Sequence, residues 1–248
     1  MNFYWLELKK AKPLWGYLAG SALITCVATI TSMSFIKTNG DVIHPEQLAE
    51  SAWASAATQL YALFIGPVIV AILTGTLIKA EFHSQMVDIL RSRGQHAGYK
   101  IAALIVSLAT LGVILSAALV AGWLIATTLS DVAPQFAAPT IVVLALRNII
   151  AVVAWGLICA AIYIKVGDFS LGFAACLALT ILSAVMLVKF ARLATYNPLG
   201  AITSAVGYPF LDLSVGSWLI LAASLALGAV STTFIWRNTL TLAQNEVA

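Results

Sequence analysis

The stretch AEFHSQMVDILRSRGQHAGYK, residues 80–100, carries five charged side chains and two of the three histidines of a 248-residue chain that is otherwise almost wholly apolar. It is bounded by two long apolar runs, 53–78 and 101–129. About 20 apolar residues suffice to cross the hydrocarbon of a bilayer. A polar island between two such runs therefore reads as the connection between two membrane spans. The chain as a whole agrees: 61% of its residues are hydrophobic, 9% are charged and the mean hydropathy is +0.98. A soluble domain carries about 25% charged residues, so the composition points to an all-α polytopic membrane protein.

Six apolar segments have the length of a span: 14–35, 53–78, 101–129, 141–164, 169–188 and 215–236. The first follows Lys9, Lys10 and Lys12, as a signal peptide would. Its 22 residues exceed a signal-peptide core and no cleavage site is evident, so it reads as the first span. Orientation follows from lysine and arginine in the short connections. With a cytoplasmic N-terminus, nine of the thirteen basic residues fall inside: Lys9, Lys10, Lys12, Lys79, Arg91, Arg93, Lys100, Lys165 and Arg237. Both termini are then cytoplasmic.

The remaining segments have distinct characters. Residues 2–13 mix Phe3, Tyr4 and Trp5 with three lysines, the composition of a helix lying in the headgroup region. Residues 37–51 and 130–139 read as external connections, and KVGD (165–168) as a tight cytoplasmic turn. The segment 190–214 is apolar but interrupted by Pro198, Gly200, Gly207 and Pro209. Irregular backbone at membrane depth has to be buried in protein or line a cavity, so short re-entrant or interfacial helices are expected there.

Within the island, Phe82, Met86, Ile89 and Leu90 stand at i, i+4, i+7 and i+8, forming one apolar stripe, and Gly94 offers a helix stop. A short amphipathic cytoplasmic helix over 81–93 follows. Its stripe suits either the membrane surface or a groove on a cytoplasmic partner.

At this point the sequence resembles a family, the ABC-2 type permease subunits of ATP-binding-cassette (ABC) transporters (a type V exporter-like fold). The resemblance covers the whole chain in layout. It is carried by Glu81, the stretch MVDIL, the pair Ser92–Arg93 and Lys100 after the second span, and by the N-terminal WLELKK with Glu7 and Lys10. A proline commonly precedes the Ser–Arg pair in that family, and here the residue is Arg91. In size and N-terminal pattern the chain is most similar to lantibiotic (bacteriocin) immunity permeases; drug, lipid and peptide exporters share the same frame. The resemblance implies a coupling helix in which Glu81, Phe82, Met86, Ile89, Leu90 and Arg93 contact the ATPase subunit. It implies a substrate path lined from spans 2 and 5 by Gln59, Tyr61, Phe64 and Met186. It further implies a bacterial cytoplasmic membrane, a second permease as homo- or heterodimer, and ATP and magnesium held on the partner ATPase.

Other chemistries find little in the residues. No GxxxxGK[ST] phosphate loop, HExxH or GxSxG occurs, so the chain has no ATPase of its own and no recognisable catalytic constellation. His83 and His96, with Glu81 and Asp88 nearby, read as solvated loop residues, and no metal or cofactor is expected in this chain. A net charge of +3 from scattered basic residues gives no footprint for a nucleic acid. Cys26, Cys159 and Cys176 read as buried, reduced structural thiols. Arg147 reads as snorkelling at the external interface, with the span beginning after it at Asn148; the alternative is an arginine within the span that faces a substrate cavity or pairs with Asp131 or Asp212. A scaffolding or sensing membrane subunit without an ATPase partner is the rival to a transport role.

Overall fold

In hydrocarbon the backbone has no water to bond, so a long apolar run satisfies its own N–H and C=O groups as a helix. The computed structural model describes residues 16, 19–28, 30–31, 58–81, 97–129, 138–189, 202 and 215–245, and every element among them is helical. A short apolar helix, α1, covers Ala19–Ala28. A π-helix over Thr58–Ile65 runs directly into α2, Gly66–Glu81. Then follow α3 (Ala97–Leu129), α4 (Ala138–Val166), α5 (Phe169–Lys189) and α6 (Val215–Asn245). Five of these, α2 to α6, are long and apolar enough to cross a membrane. The expected interfacial helix (2–13), nearly all of the re-entrant segment (190–214) and the coupling-helix residues Phe82, Met86, Ile89, Leu90 and Arg93 lie outside the described residues.

The helices alternate in direction. Tyr61, Pro67 and Gly75 of the α2 strand of the bundle meet Asn148, Trp155 and Tyr163 of α4 in the same order, so α2 and α4 run parallel. Ser116, Gly112 and Leu108 of α3 meet Ala145, Ile149 and Gly156 in reverse order, so α3 is antiparallel. Trp218 and Thr232 of α6 meet Arg147 and Leu157, which makes α6 parallel to α4 again. Consequently the end of α2, the start of α3, the α4–α5 turn and the end of α6 share one end of the molecule. Lys79, Glu81, Lys100, Lys165 and Asp168 belong to that end.

The α4–α5 turn is built from two residues. Gly167 adopts φ +73°, and its N–H donates to the Tyr163 carbonyl at 2.9 Å, closing the end of α4. Asp168 then caps α5: its Oδ1 accepts the Leu171 N–H at 2.8 Å, an interaction that contributes about 1 kcal/mol.

The core is α4. Every residue from Ala151 to Ala161 is buried, on all faces of the helix, because α2, α3, α5 and α6 all pack against it. Small residues permit this. A Cβ on Gly228 of α6 would stand 2.9 Å from the Ala154 carbonyl oxygen, and one on Gly112 of α3 would stand 2.9 Å from the Ile149 Cα. The Tyr163 ring occupies the space left by Gly75 of α2 and Gly172 of α5. In a bilayer such close approach replaces the hydrophobic drive that holds soluble helices together. Hydroxyls elsewhere return to their own helix: Ser107, Thr110 and Thr233 each donate to the carbonyl four residues earlier. The outward faces of α5 and α6 carry Leu171, Leu182, Leu219 and Val230, side chains compatible with lipid.

Candidate functional site

Where α2 begins, the chain leaves the regular ladder. Pro67 has no N–H to offer the preceding turn, and the eight residues before Gly66 adopt the wider π-helix, a form frequent at functional sites. Gly66 has no room for a side chain: a Cβ would stand 2.9 Å from the Tyr61 carbonyl oxygen and 3.0 Å from Tyr61 Cζ. The Tyr61 ring therefore packs over Gly66, and its hydroxyl turns into the bundle.

There it meets a buried polar layer. The Tyr61 hydroxyl donates to Asn148 Oδ1 at 3.2 Å. Asn148 Nδ2 lies 3.1 Å from that hydroxyl and donates to Ser116 Oγ at 3.0 Å. Ser116 Oγ in turn donates to the Ala145 carbonyl at 3.3 Å. The π-helix, α3 and α4 are thus joined by side chains that are all buried. Replacing Asn148 by leucine is expected to lower stability by about 1–2 kcal/mol, in line with interhelical hydrogen bonds in bilayers. A double-mutant cycle with Tyr61→Phe, followed by reversible unfolding in mixed micelles, measures the coupling; strict additivity would show that the contact carries no energy.

Arg147 adjoins Asn148 and corrects the reading of its position. It does not snorkel at the start of a span. Helix α4 begins at Ala138, well before it, and the side chain is 0% exposed. Its guanidinium carbon stands 5.4 Å from the centroid of the Trp218 ring of α6, a cation–π arrangement that offsets part of the cost of a charge at this depth. Six residues past Ile141, where the apolar window of α4 opens, Arg147 lies about 9 Å into the span.

The residues expected to line a path between spans 2 and 5 are distributed as follows. Tyr61 is fully buried in the polar layer, Phe64 is exposed on the outside of the bundle and Met186 is partly buried on α5. Gln59 belongs to the π-helix. Between α2 and α5 a small, partly open pocket is lined by Ala62, Leu63, Pro67, Trp155, Thr180 and Ser183, among others, with room for about one water molecule. Of the coupling residues, Glu81 is the last residue of α2. Among the described residues no group of three metal-ligating side chains occurs.

Asn148, Ser116, Trp155 and Trp218 were not singled out by the sequence. The one available signal was the adjacent polar pair Arg147–Asn148 inside an apolar run. Cys26 is also less buried than expected, whereas Cys159 and Cys176 are fully buried. Comparison with protein-family models, curated proteins and solved structures finds no match.

Proposed function

We propose that the chain is the permease subunit of an ATP-driven exporter, moving a hydrophobic or amphiphilic substrate such as an antimicrobial peptide out of the membrane. The observation that carries this reading is the convergence of the α2 end, the α3 start and the α4–α5 turn at one end of the bundle. Glu81 and Ala97, which the polar segment 82–96 connects in sequence, both lie at that end. Lys79 Nζ stands 5.8 Å from the centroid of the Phe169 ring of α5. A load applied at Glu81 would therefore reach both α2 and α5, the two helices that the reading assigns to the substrate path. The scarcity of acidic and lysine side chains within the spans also favours an external energy source over proton or sodium coupling.

In this reading a separate ATPase pair binds ATP and magnesium, closes, and pushes on the helix at 81–93. A second permease completes the path. Glu81→Ala and Arg93→Glu are expected to weaken ATPase-subunit binding and export by about tenfold or more, the scale of a truncated charge at an interface. Co-purification followed by substrate-stimulated ATP hydrolysis checks this. Variants that bind the ATPase and export like the parent would remove the coupling assignment, and a chain that recruits no ATPase would favour the scaffold reading.

A further inference from the structure

We propose that the small pocket between α2 and α5 is a binding site for a single water molecule, which supplies the hydrogen bond that Pro67 withholds from its own helix and ties that break to Thr180 of α5. The proposal starts from the ladder. In a π-helix each carbonyl accepts from the N–H five residues on, and in an α-helix from the one four residues on. Where the two meet, the π donor for Ala62 and the α donor for Leu63 are the same residue, Pro67, which has no N–H. The turn is therefore one donor short, and Ala62, Leu63 and Pro67 all line the pocket. Trp155, on the same wall, does not make up the deficit, because its indole N–H donates to the carbonyl of Pro67 itself at 3.0 Å.

The opposite wall selects the occupant. Thr180 is buried, and its hydroxyl donates to the Cys176 carbonyl at 2.9 Å. With that hydrogen engaged, Thr180 Oγ1 offers the pocket only lone pairs. Ser183, three residues on, adds a second hydroxyl to this side of the pocket. An occupant that satisfies both walls has to donate twice, once to a carbonyl of the break and once to Thr180 Oγ1. A lipid chain has no such hydrogens, and a larger polar ligand exceeds the room, which is that of about one water. Water has both the hydrogens and the size. A carbonyl left unpaired in hydrocarbon is costly, whereas a bridging water serves nearly as well as a direct bond. The bridge joins α2 to α5 by a contact that breaks and re-forms readily, so α2 can bend at Pro67 without stranding a carbonyl.

The test uses the full chain in lipid nanodiscs, labelled with carbonyl-¹³C leucine and ¹⁵N phenylalanine. Leucine is followed by phenylalanine only at Leu63–Phe64, so a single coupled signal in solid-state magnetic resonance reports the break. Magnetisation passed briefly from water protons is expected to reach that carbonyl. In Thr180→Val a methyl replaces the hydroxyl, and the water-derived signal should vanish while the directly excited one stays. Thr180→Ser should keep both. Pro67→Ala, which returns the missing N–H, should lose the water-derived signal as Thr180→Val does. The proposal is overturned if the parent carbonyl draws no magnetisation from water, or draws it from lipid methylene protons instead. It is equally overturned if Thr180→Val or Pro67→Ala retains the parent's water-derived signal.

Discussion

Trp155→Ala is expected to destabilise the protein by about 3 kcal/mol, the largest single effect among its buried side chains. Trp155 is the bulkiest fully buried residue and sits on the helix that touches every other long one. Truncation would empty a volume between α2, α4 and α5 that the small pocket beside it already borders, and would remove the donor to the Pro67 carbonyl at 3.0 Å. In a bilayer the transfer part of the cost falls away, because lipid tails are as apolar as the core. What remains is lost dispersion contact around the cavity, which places the value at the low end for a tryptophan. Trp155→Phe retains most of the packing and forfeits the hydrogen bond, so about 1 kcal/mol is expected. Reversible unfolding of both variants in mixed micelles provides the measurement, and equal losses would show that the cavity carries no weight.

Gly228→Leu should displace α6 at a cost of up to about 3 kcal/mol. The atoms a side chain would meet are the Ala154 carbonyl oxygen and the Leu157 Cβ, both at 2.9 Å, and neither belongs to a flexible tip. Helix α6 packs chiefly on α4. Along that seam Arg147 meets Trp218 on one side of the glycine, and Thr232 Oγ1 donates to the Leu157 carbonyl at 2.7 Å on the other. A leucine in the middle would strain both. Cross-linking of paired cysteines introduced on α4 and α6 should fall sharply in Gly228→Leu and only moderately in Gly228→Ala. Unchanged cross-linking with Gly228→Leu would mean that the helices are not held at this distance.

How much of this was legible beforehand depends on what a one-dimensional pattern records. Apolar run length gave the helical membrane class directly, because a span requires only composition and extent. It did not indicate which helix occupies the centre. The run AVVAWGLICAA is no more hydrophobic than its neighbours, and only its glycine, alanines and cysteine hint at close packing. Ala151, Gly156 and Ala160 within that run are all buried. Arg147 was misplaced because snorkelling is the usual fate of an arginine near a span end, whereas the ring that covers it lies in another helix. Tyr61 illustrates the same limit. The resemblance assigns it to a substrate path, and the direction of its hydroxyl is set by Asn148 and the absent side chain of Gly66, both distant from what a linear pattern records.

The cover that Trp218 gives Arg147 also has a history within each molecule. Synthesis delivers α4 to the membrane first, and Trp218 follows about seventy residues later. At roughly 5–20 residues per second, the nascent chain holds a guanidinium in the insertion machinery or in lipid for about 4–14 seconds before its covering ring exists. Its hydrocarbon-rich flank, AVVAWGLICAAIYI, is what keeps that helix in place meanwhile. The pairing of Arg147 with Trp218 is thus a late contact, open only once α6 has been made.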